Sequence, residues 1–132
     1  MEVFKHFIAD SFSFIATLCI FLLGEFDVSL QCLIVVMIID YITGISSAFY
    51  NKKLNSKVGF KGIIKKICYL CIVALGVVID KLSGANGLVR SLVIYFFVGN
   101  DGLSIIENMA EMGIKLPQKL IDSLDQLRKK GE

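Results

Sequence analysis

Long apolar segments alternate with short polar turns along most of this chain. Four segments are long enough to be helical spans, at residues 7–23, 28–50, 63–82 and 88–109. About 20 apolar residues in a helix cross about 30 Å of hydrocarbon, so each segment approaches the length of a bilayer crossing. The pattern predicts a bundle of three to four transmembrane helices within residues 1–113.

The last part of the chain, residues 114–132, has a different pattern. Leu116, Leu120, Leu124 and Leu127 recur at helical spacing among charged residues, and positions 128–130 are all basic. This spacing predicts an amphipathic, charged helix in the cytoplasm. The expected fold is therefore an all-α integral membrane protein with a C-terminal cytoplasmic helix.

The composition agrees with a lipid environment. The 132 residues are 55% hydrophobic and 20% charged, and the mean hydropathy is +0.72, whereas soluble domains average about 25% charged residues. The net charge of +2 is too small to indicate nucleic acid as a partner. The sequence has no nucleophile with a base, no metal-ligand spacing and no phosphate-binding glycine loop, so we expect neither an enzyme nor a cofactor.

The four cysteines, Cys19, Cys32, Cys68 and Cys71, all lie in apolar stretches, where thiols behave as small hydrophobes. Cys68 and Cys71 form a CxxC motif, but no second cysteine pair or histidine cluster accompanies it. We therefore expect no disulfide and no metal site.

Lysines are concentrated between the second and third segments. The basic loop, which contains no acidic residue, consists of Lys52, Lys53, Lys57, Lys61, Lys65 and Lys66. The positive-inside rule places this loop in the cytoplasm. Counting crossings from the loop puts the turn at residues 24–27 outside and both termini inside.

The first segment is the weakest span because Asp10 interrupts it. If this segment lies along the membrane, three spans remain and the N-terminus is outside. Glu2 and Asp10 also disrupt the charge pattern of a signal peptide, so we expect the segment to stay as an anchor.

Several polar residues fall inside the predicted spans, where an ionised group at a helix centre costs about 2.5 to 3.5 kcal/mol. Helical spacing places them on three stripes: His6, Asp10, Ser13 and Thr17; Asp40, Thr43 and Ser47; and Asn100, Ser104, Glu107 or Asn108, and Glu111. We expect these stripes to face one another or water, as helix-packing contacts or on a hydrated pathway. Asp80 and Arg90 flank an external turn and could pair with each other.

Small residues mark places where helix backbones can approach closely in lipid. Gly44 and Ala48 form a small-xxx-small pair in the second segment, and Gly76 offers a single point of approach in the third. This pattern is compatible with oligomerisation.

Three stretches carry a family resemblance. They are Asp40-Tyr41-Ile42-Thr43-Gly44 leading through Ala48 to the basic residues 54–66, the acidic end of the third span at Asp80, and residues 100–108 followed by Met112-Gly113-Ile114 and Leu116-Pro117. Together these stretches resemble the toxin-secretion and phage-lysis holin family of Gram-positive phages and clostridial toxin loci. The most specific stretch is Ser104-Ile105-Ile106-Glu107-Asn108 with the glycine and proline that follow it. The chain departs from the family at Asn100-Asp101, where Asn-Glu is usual, and at Leu116-Pro117, where Val-Pro is usual.

The resemblance implies accumulation in a bacterial cytoplasmic membrane, assembly into a homo-oligomer, and a timed opening. Through that opening an endolysin or a large secreted toxin would cross without forming a stable complex with the chain. The residues alone also leave two other functions open. One is a small ion channel or transporter subunit that uses the intramembrane acids, and the other is a passive membrane adaptor whose lysines bind anionic lipid.

Overall fold

The computed structural model describes all 132 residues and contains five helices and no strand. They are α1 (Glu2–Leu23), α2 (Val28–Tyr50), α3 (Ser56–Ser83), α4 (Leu88–Glu111) and α5 (Gln118–Gly131). The first four are long and apolar enough to cross a membrane. The predicted all-α membrane fold is therefore confirmed.

Polar residues at the turns determine where the helices begin. The Asp27 carboxylate accepts a hydrogen bond of 3.0 Å from the backbone N–H of Leu30, and the Asn55 side chain accepts one of 3.0 Å from Val58. Each contact satisfies a backbone donor that the first turn of a helix leaves free. Asn55 thus starts α3 at Ser56, seven positions before the predicted start at residue 63.

This earlier start corrects the prediction of a long basic loop. Only Lys52 and Lys53 lie in the connection between α2 and α3. The remaining four basic residues belong to α3: Lys57, Lys61, Lys65 and Lys66. Lysine is a good helix former, so a charged stretch after an asparagine cap continues the helix and does not interrupt it.

Helix α4 is the centre of the bundle, because α2, α3 and α5 all pack against it. The core between α2, α3 and α4 is small, with Leu33, Val73 and Ile94 fully buried. The rings of Tyr69 and Phe97 stack beside them with centroids 3.9 Å apart. Helix α1 packs along α3 and contributes no buried residue.

Apolar side chains cover most of the outer surface of the four long helices. Phe12 is 72% exposed and Ile38 is 54% exposed, as expected for side chains that face lipid tails. All four cysteines are exposed and free. Because burying such groups against each other gains little over contact with lipid, polar contacts and close backbone packing must stabilise the bundle.

Two of the predicted small-residue contacts are made within the chain. A Cβ atom added to Gly76 would lie 3.2 Å from Cα of Arg90, so α3 approaches the backbone of α4 at this point. Gly44 faces the Asn108 amide, and a Cβ atom added to Gly44 would lie 3.6 Å from Nδ2 of that amide. Ala48 is half-buried on the same helix as Gly44.

We predict that Gly76→Leu separates α3 from α4, since the added side chain meets backbone atoms that cannot move aside. Overpacking of this kind costs about 1 to 3 kcal/mol. The unfolding midpoint in detergent micelles should fall, whereas Cys71→Leu, at an exposed position of the same helix, should leave it nearly unchanged. Equal midpoints for the two variants would contradict the close approach.

Candidate functional site

Three charged side chains meet inside the bundle, one from each of α2, α3 and α4. Lys66 Nζ contacts Oδ2 of Asp40 and lies 2.6 Å from Oδ2 of Asp101. Asp101 is fully buried and Asp40 is nearly so. We call Lys66, Asp40 and Asp101 the charge cluster. It ties the three core helices together with charge-assisted hydrogen bonds.

Amide and hydroxyl groups extend this polar contact between α2 and α4. Asn108 Nδ2 donates to Oδ1 of Asp40 at 3.3 Å and to Oγ1 of Thr43 at 3.0 Å. One turn further on, Ser47 Oγ donates to Glu111 at 2.6 Å. The polar stripe of α2 therefore lies against the polar stripe of α4, away from the lipid-facing surface.

The ring of Tyr69 lies beside the charge cluster. Asn100 Nδ2 donates to the Tyr69 hydroxyl at 2.8 Å, and Lys66 Nζ lies 5.3 Å from the centre of the Tyr69 ring. Oδ1 of Asp101 is buried without a hydrogen-bond partner. A buried acceptor of this kind is costly, so the position is a natural point for water to enter if the helices separate.

A cavity of about 290 Å³ opens beside the charge cluster. Asp40, Lys66, Ser104 and Asn108 are among its lining residues, and so is the exposed Lys61. The cluster itself holds one cation and two carboxyl groups. This arrangement offers fixed charge and hydrogen-bonding groups to water or ions.

A second polar contact joins the helix ends on the opposite side of the bundle. Arg90 donates to the backbone oxygens of Leu23 at 2.6 Å and Glu25 at 2.8 Å, and to Oδ2 of Asp27 at 2.8 Å. The hydrogen bond from Arg90 holds the pKa of Asp27 below its ordinary value, against a smaller effect of burial. Arg90 thus ties the α1–α2 turn to the start of α4.

The suggested side-chain pair between Asp80 and Arg90 does not form. The Asp80 carboxylate instead accepts hydrogen bonds from the backbone N–H groups of Val89 at 2.8 Å and Arg90 at 2.9 Å. The free N–H groups of the first turn of α4 attract this carboxylate. The Arg90 guanidinium is left to reach Asp27.

Other predicted residues lie apart from the charge cluster. Asp10 is exposed on α1 and Glu107 is exposed on α4. Ser13 and Thr17 donate to backbone oxygens of their own helix at 2.9 and 2.8 Å. The stripe on α1 therefore meets no polar stripe of another helix in this chain.

Sequence reasoning missed Asp101 as a candidate and placed Lys66 in a loop. Asp101, Ser104 and Asn108 follow i, i+3, i+7 spacing, which would have put Asp101 on the polar face of α4. Lys66, Tyr69 and Val73 follow the same spacing on the buried face of α3. The predicted third segment, residues 63–82, already contained Lys66, so following this spacing along it would have revealed the inward position of Lys66.

Comparison with known proteins connects this architecture to a family. The bacteriophage holin family matches residues 17–129 of the chain. A probable holin of Bacillus phage phi105 is 35% identical over 104 residues, which cover 79% of this chain and 76% of the phage protein. An uncharacterised 14.9 kDa protein in the nagH 3′ region of Clostridium perfringens is 34% identical over 131 residues, which cover 98% of this chain and 99% of that protein. No solved structure matches the chain.

We predict that Lys66→Met destabilises the bundle by about 3 to 5 kcal/mol, because it leaves two buried carboxyl groups without their cation. The unfolding midpoint in detergent micelles measures the loss. Lys65→Met, which removes the same charge from an exposed neighbour, is the control. Adding Asp40→Asn and Asp101→Asn to Lys66→Met should restore much of the stability, and failure of this rescue would contradict a charge-based role.

We also predict that Asp27→Asn lowers stability at neutral pH but has little effect in acid. Asparagine keeps the helix cap, so the substitution tests the contact with Arg90. A lowered pKa in the folded protein means that ionised Asp27 contributes stability above its unfolded-state value near 3.8, and that this contribution is lost as the pH falls through the lower folded-state pKa.

The unfolding midpoints of wild type and Asp27→Asn should therefore differ at neutral pH and converge below pH 3.8. Glu25→Gln provides the control, because Arg90 binds the backbone oxygen of Glu25 and not its carboxylate. A difference between wild type and Asp27→Asn that stays constant down to low pH would show that the ion pair contributes nothing.

Proposed function

This chain belongs to the bacteriophage holin family, and we propose that it self-associates in the bacterial cytoplasmic membrane and opens lesions through which a large protein crosses. The family and the four apolar helices make it a holin-like membrane protein. The passenger is a cell-wall hydrolase or a large secreted toxin. It crosses because the lesion is wide enough, without forming a stable complex with the chain.

The proposed orientation follows from the charges at the helix ends. The lysines at the start of α3 face the cytoplasm, by the positive-inside rule. The α1–α2 turn with Glu25 and Asp27, and the Asp80–Arg90 region, then face outward. With α1 crossing, this orientation gives four spans and places the N-terminus and the end of α4 in the cytoplasm.

The charge cluster is the observation that carries the proposal. Within one chain, Lys66 forms ion pairs with Asp40 and Asp101, and these groups are shielded from lipid. When helices from several chains separate and reassemble, the same groups can line a water-filled space instead. Polar surfaces at membrane depth are tolerated where they face protein or water. A closed and an open arrangement of the same helices need no chemical reaction to interconvert.

The membrane potential offers a trigger for the change. Moving one elementary charge across 100 mV is worth about 2.3 kcal/mol. A cluster whose charges shift when the helices separate is therefore sensitive to loss of the potential. We propose that depolarisation favours the open arrangement.

We predict that Asp40→Asn advances the onset of lysis when the chain is expressed from an inducible promoter with a hydrolase. The substitution weakens the tie between α2 and α3, so the closed arrangement is less stable. The optical density of the culture gives the time of lysis. Glu2→Gln, at an exposed position near the N-terminus, should leave that time unchanged at matched expression. An unchanged time for Asp40→Asn would count against a role for the charge cluster.

Leakage from vesicles separates this function from its two rivals. Purified chain in lipid vesicles should release a protein-sized marker together with small ions. Steady ion flux with retention of the marker would instead indicate a channel or transporter subunit. Vesicles that keep both their potential and the marker would indicate a passive membrane adaptor.

A further inference from the structure

Helix α5 runs antiparallel along α4 and packs closely against two glycines, with its backbone at Gly99 and with the Leu124 side chain at Gly102. A Cβ atom added to Gly99 would lie 2.5 Å from the backbone nitrogen of Arg128, and one added to Gly102 would lie 2.5 Å from Cδ2 of Leu124. Both glycines are buried. We call Gly99 and Gly102 with the surface around them the glycine face of α4. Its shape admits the backbone of a neighbouring helix.

The far end of α5 reaches well along α4. A Cβ atom on Gly131 would lie 2.5 Å from the Cβ of Phe96. Phe96 follows Leu88, the first residue of α4, by eight positions. At 1.5 Å per residue this is about 12 Å from the end of a helix that crosses about 30 Å of hydrocarbon. The basic end of α5 therefore contacts α4 at hydrocarbon depth.

Charged residues at this depth make the contact between α5 and α4 unfavourable in lipid. Arg128 and Lys129 pair with Asp125 at 2.7 and 3.0 Å, and Lys130 lies 5.2 Å from the centre of the Tyr95 ring. These contacts offset only part of the cost of placing the charges at this depth, because Lys129 remains 67% exposed and Nε of Arg128 is buried without a partner. When α4 is fully inserted in the membrane, the charges of α5 therefore favour its dissociation from α4. A less charged helix can then pack against α4 in its place.

We propose that the glycine face of α4 is the surface through which copies of this chain associate, and that α5 covers it until the copies assemble. The occupant that replaces α5 is a second copy of the chain. Helix α1 of each copy has no buried residue, so every copy brings a long apolar helix with free surface. The inference rests on the proposed function, because it names the surface that self-association uses.

A reversible cross-link in the full chain tests whether α5 and a second copy compete for the glycine face. The variant Phe96→Cys with Gly131→Cys, in a background with Cys19, Cys32, Cys68 and Cys71 replaced by alanine, can form a disulfide that holds α5 on α4. Their Cβ positions are closer than the roughly 3.8 Å of a disulfide, but Gly131 is the last residue of α5 and can move outward. Each single-cysteine variant, oxidised in the same way, is the control.

The measurements are disulfide formation, the oligomeric state in detergent micelles by sedimentation, and marker release from vesicles. Oxidation should give an intramolecular disulfide, a monomer and loss of marker release, and a reductant should restore the oligomer and the release. Gly99→Leu fills the face, so it should lower both the disulfide yield and the oligomer. Ala110→Leu, at an exposed position of α4, should change neither.

Three results would overturn the proposal, and they can be told apart. Failure of the disulfide to form would show that α5 does not cover the glycine face. An oligomer that forms equally well with α5 cross-linked, or with Gly99→Leu, would place self-association on another surface and leave the proposed function intact. A reduced protein that stays monomeric and releases no marker would overturn the proposed function as well.

Discussion

The contact of Lys66 with Asp40 and Asp101 is the interaction on which the bundle depends. In lipid, apolar side chains gain little by leaving the bilayer for one another, so the association of α2, α3 and α4 needs polar contacts and close packing. The charge cluster supplies the polar contacts, because separating the three helices would expose ionised groups to hydrocarbon. The proposed opening uses the same dependence, since water between the separated helices would remove that penalty.

Helix α4 makes three different contacts, two of them on the face that carries Arg90, Asp101 and Asn108 and the third on the opposite side at Gly99. Asp101 and Asn108 meet the polar groups of α2 and α3, Arg90 reaches the α1–α2 turn, and the glycine face packs against α5. The first contact is buried within the core, and the second ties down the helix end. The third is made by α5, which has the highest share of charged residues of the five helices, so it is the least favourable of the three contacts in a bilayer. This difference orders the steps of the proposed assembly.

Helix α1 differs from the other spans in how it is attached. It has no buried residue, and the hydrogen bonds of Arg90 to Leu23 and to the turn after it secure its last residues. Its stripe with Asp10 is exposed. A span attached mainly at one end can change neighbours without disturbing the charge cluster. This property suits the proposed assembly, in which copies of the chain are first stable alone and then associate.

The sequence by itself determined the all-α membrane class, the four apolar helices and the family resemblance, because hydropathy and helix caps act locally along the chain. The start of α3 shows the limit of this reasoning, since Asn55 could have been read as its cap. Only the tertiary structure decided that Lys66 turns inward, that Asp101 is its partner, that Arg90 binds Asp27 and that α5 covers Gly99 and Gly102. Each of these contacts joins residues that are distant in the chain, and the energy of such a pair depends on how the helices rotate and approach. The pattern of residues along the chain does not specify how the helices rotate against one another.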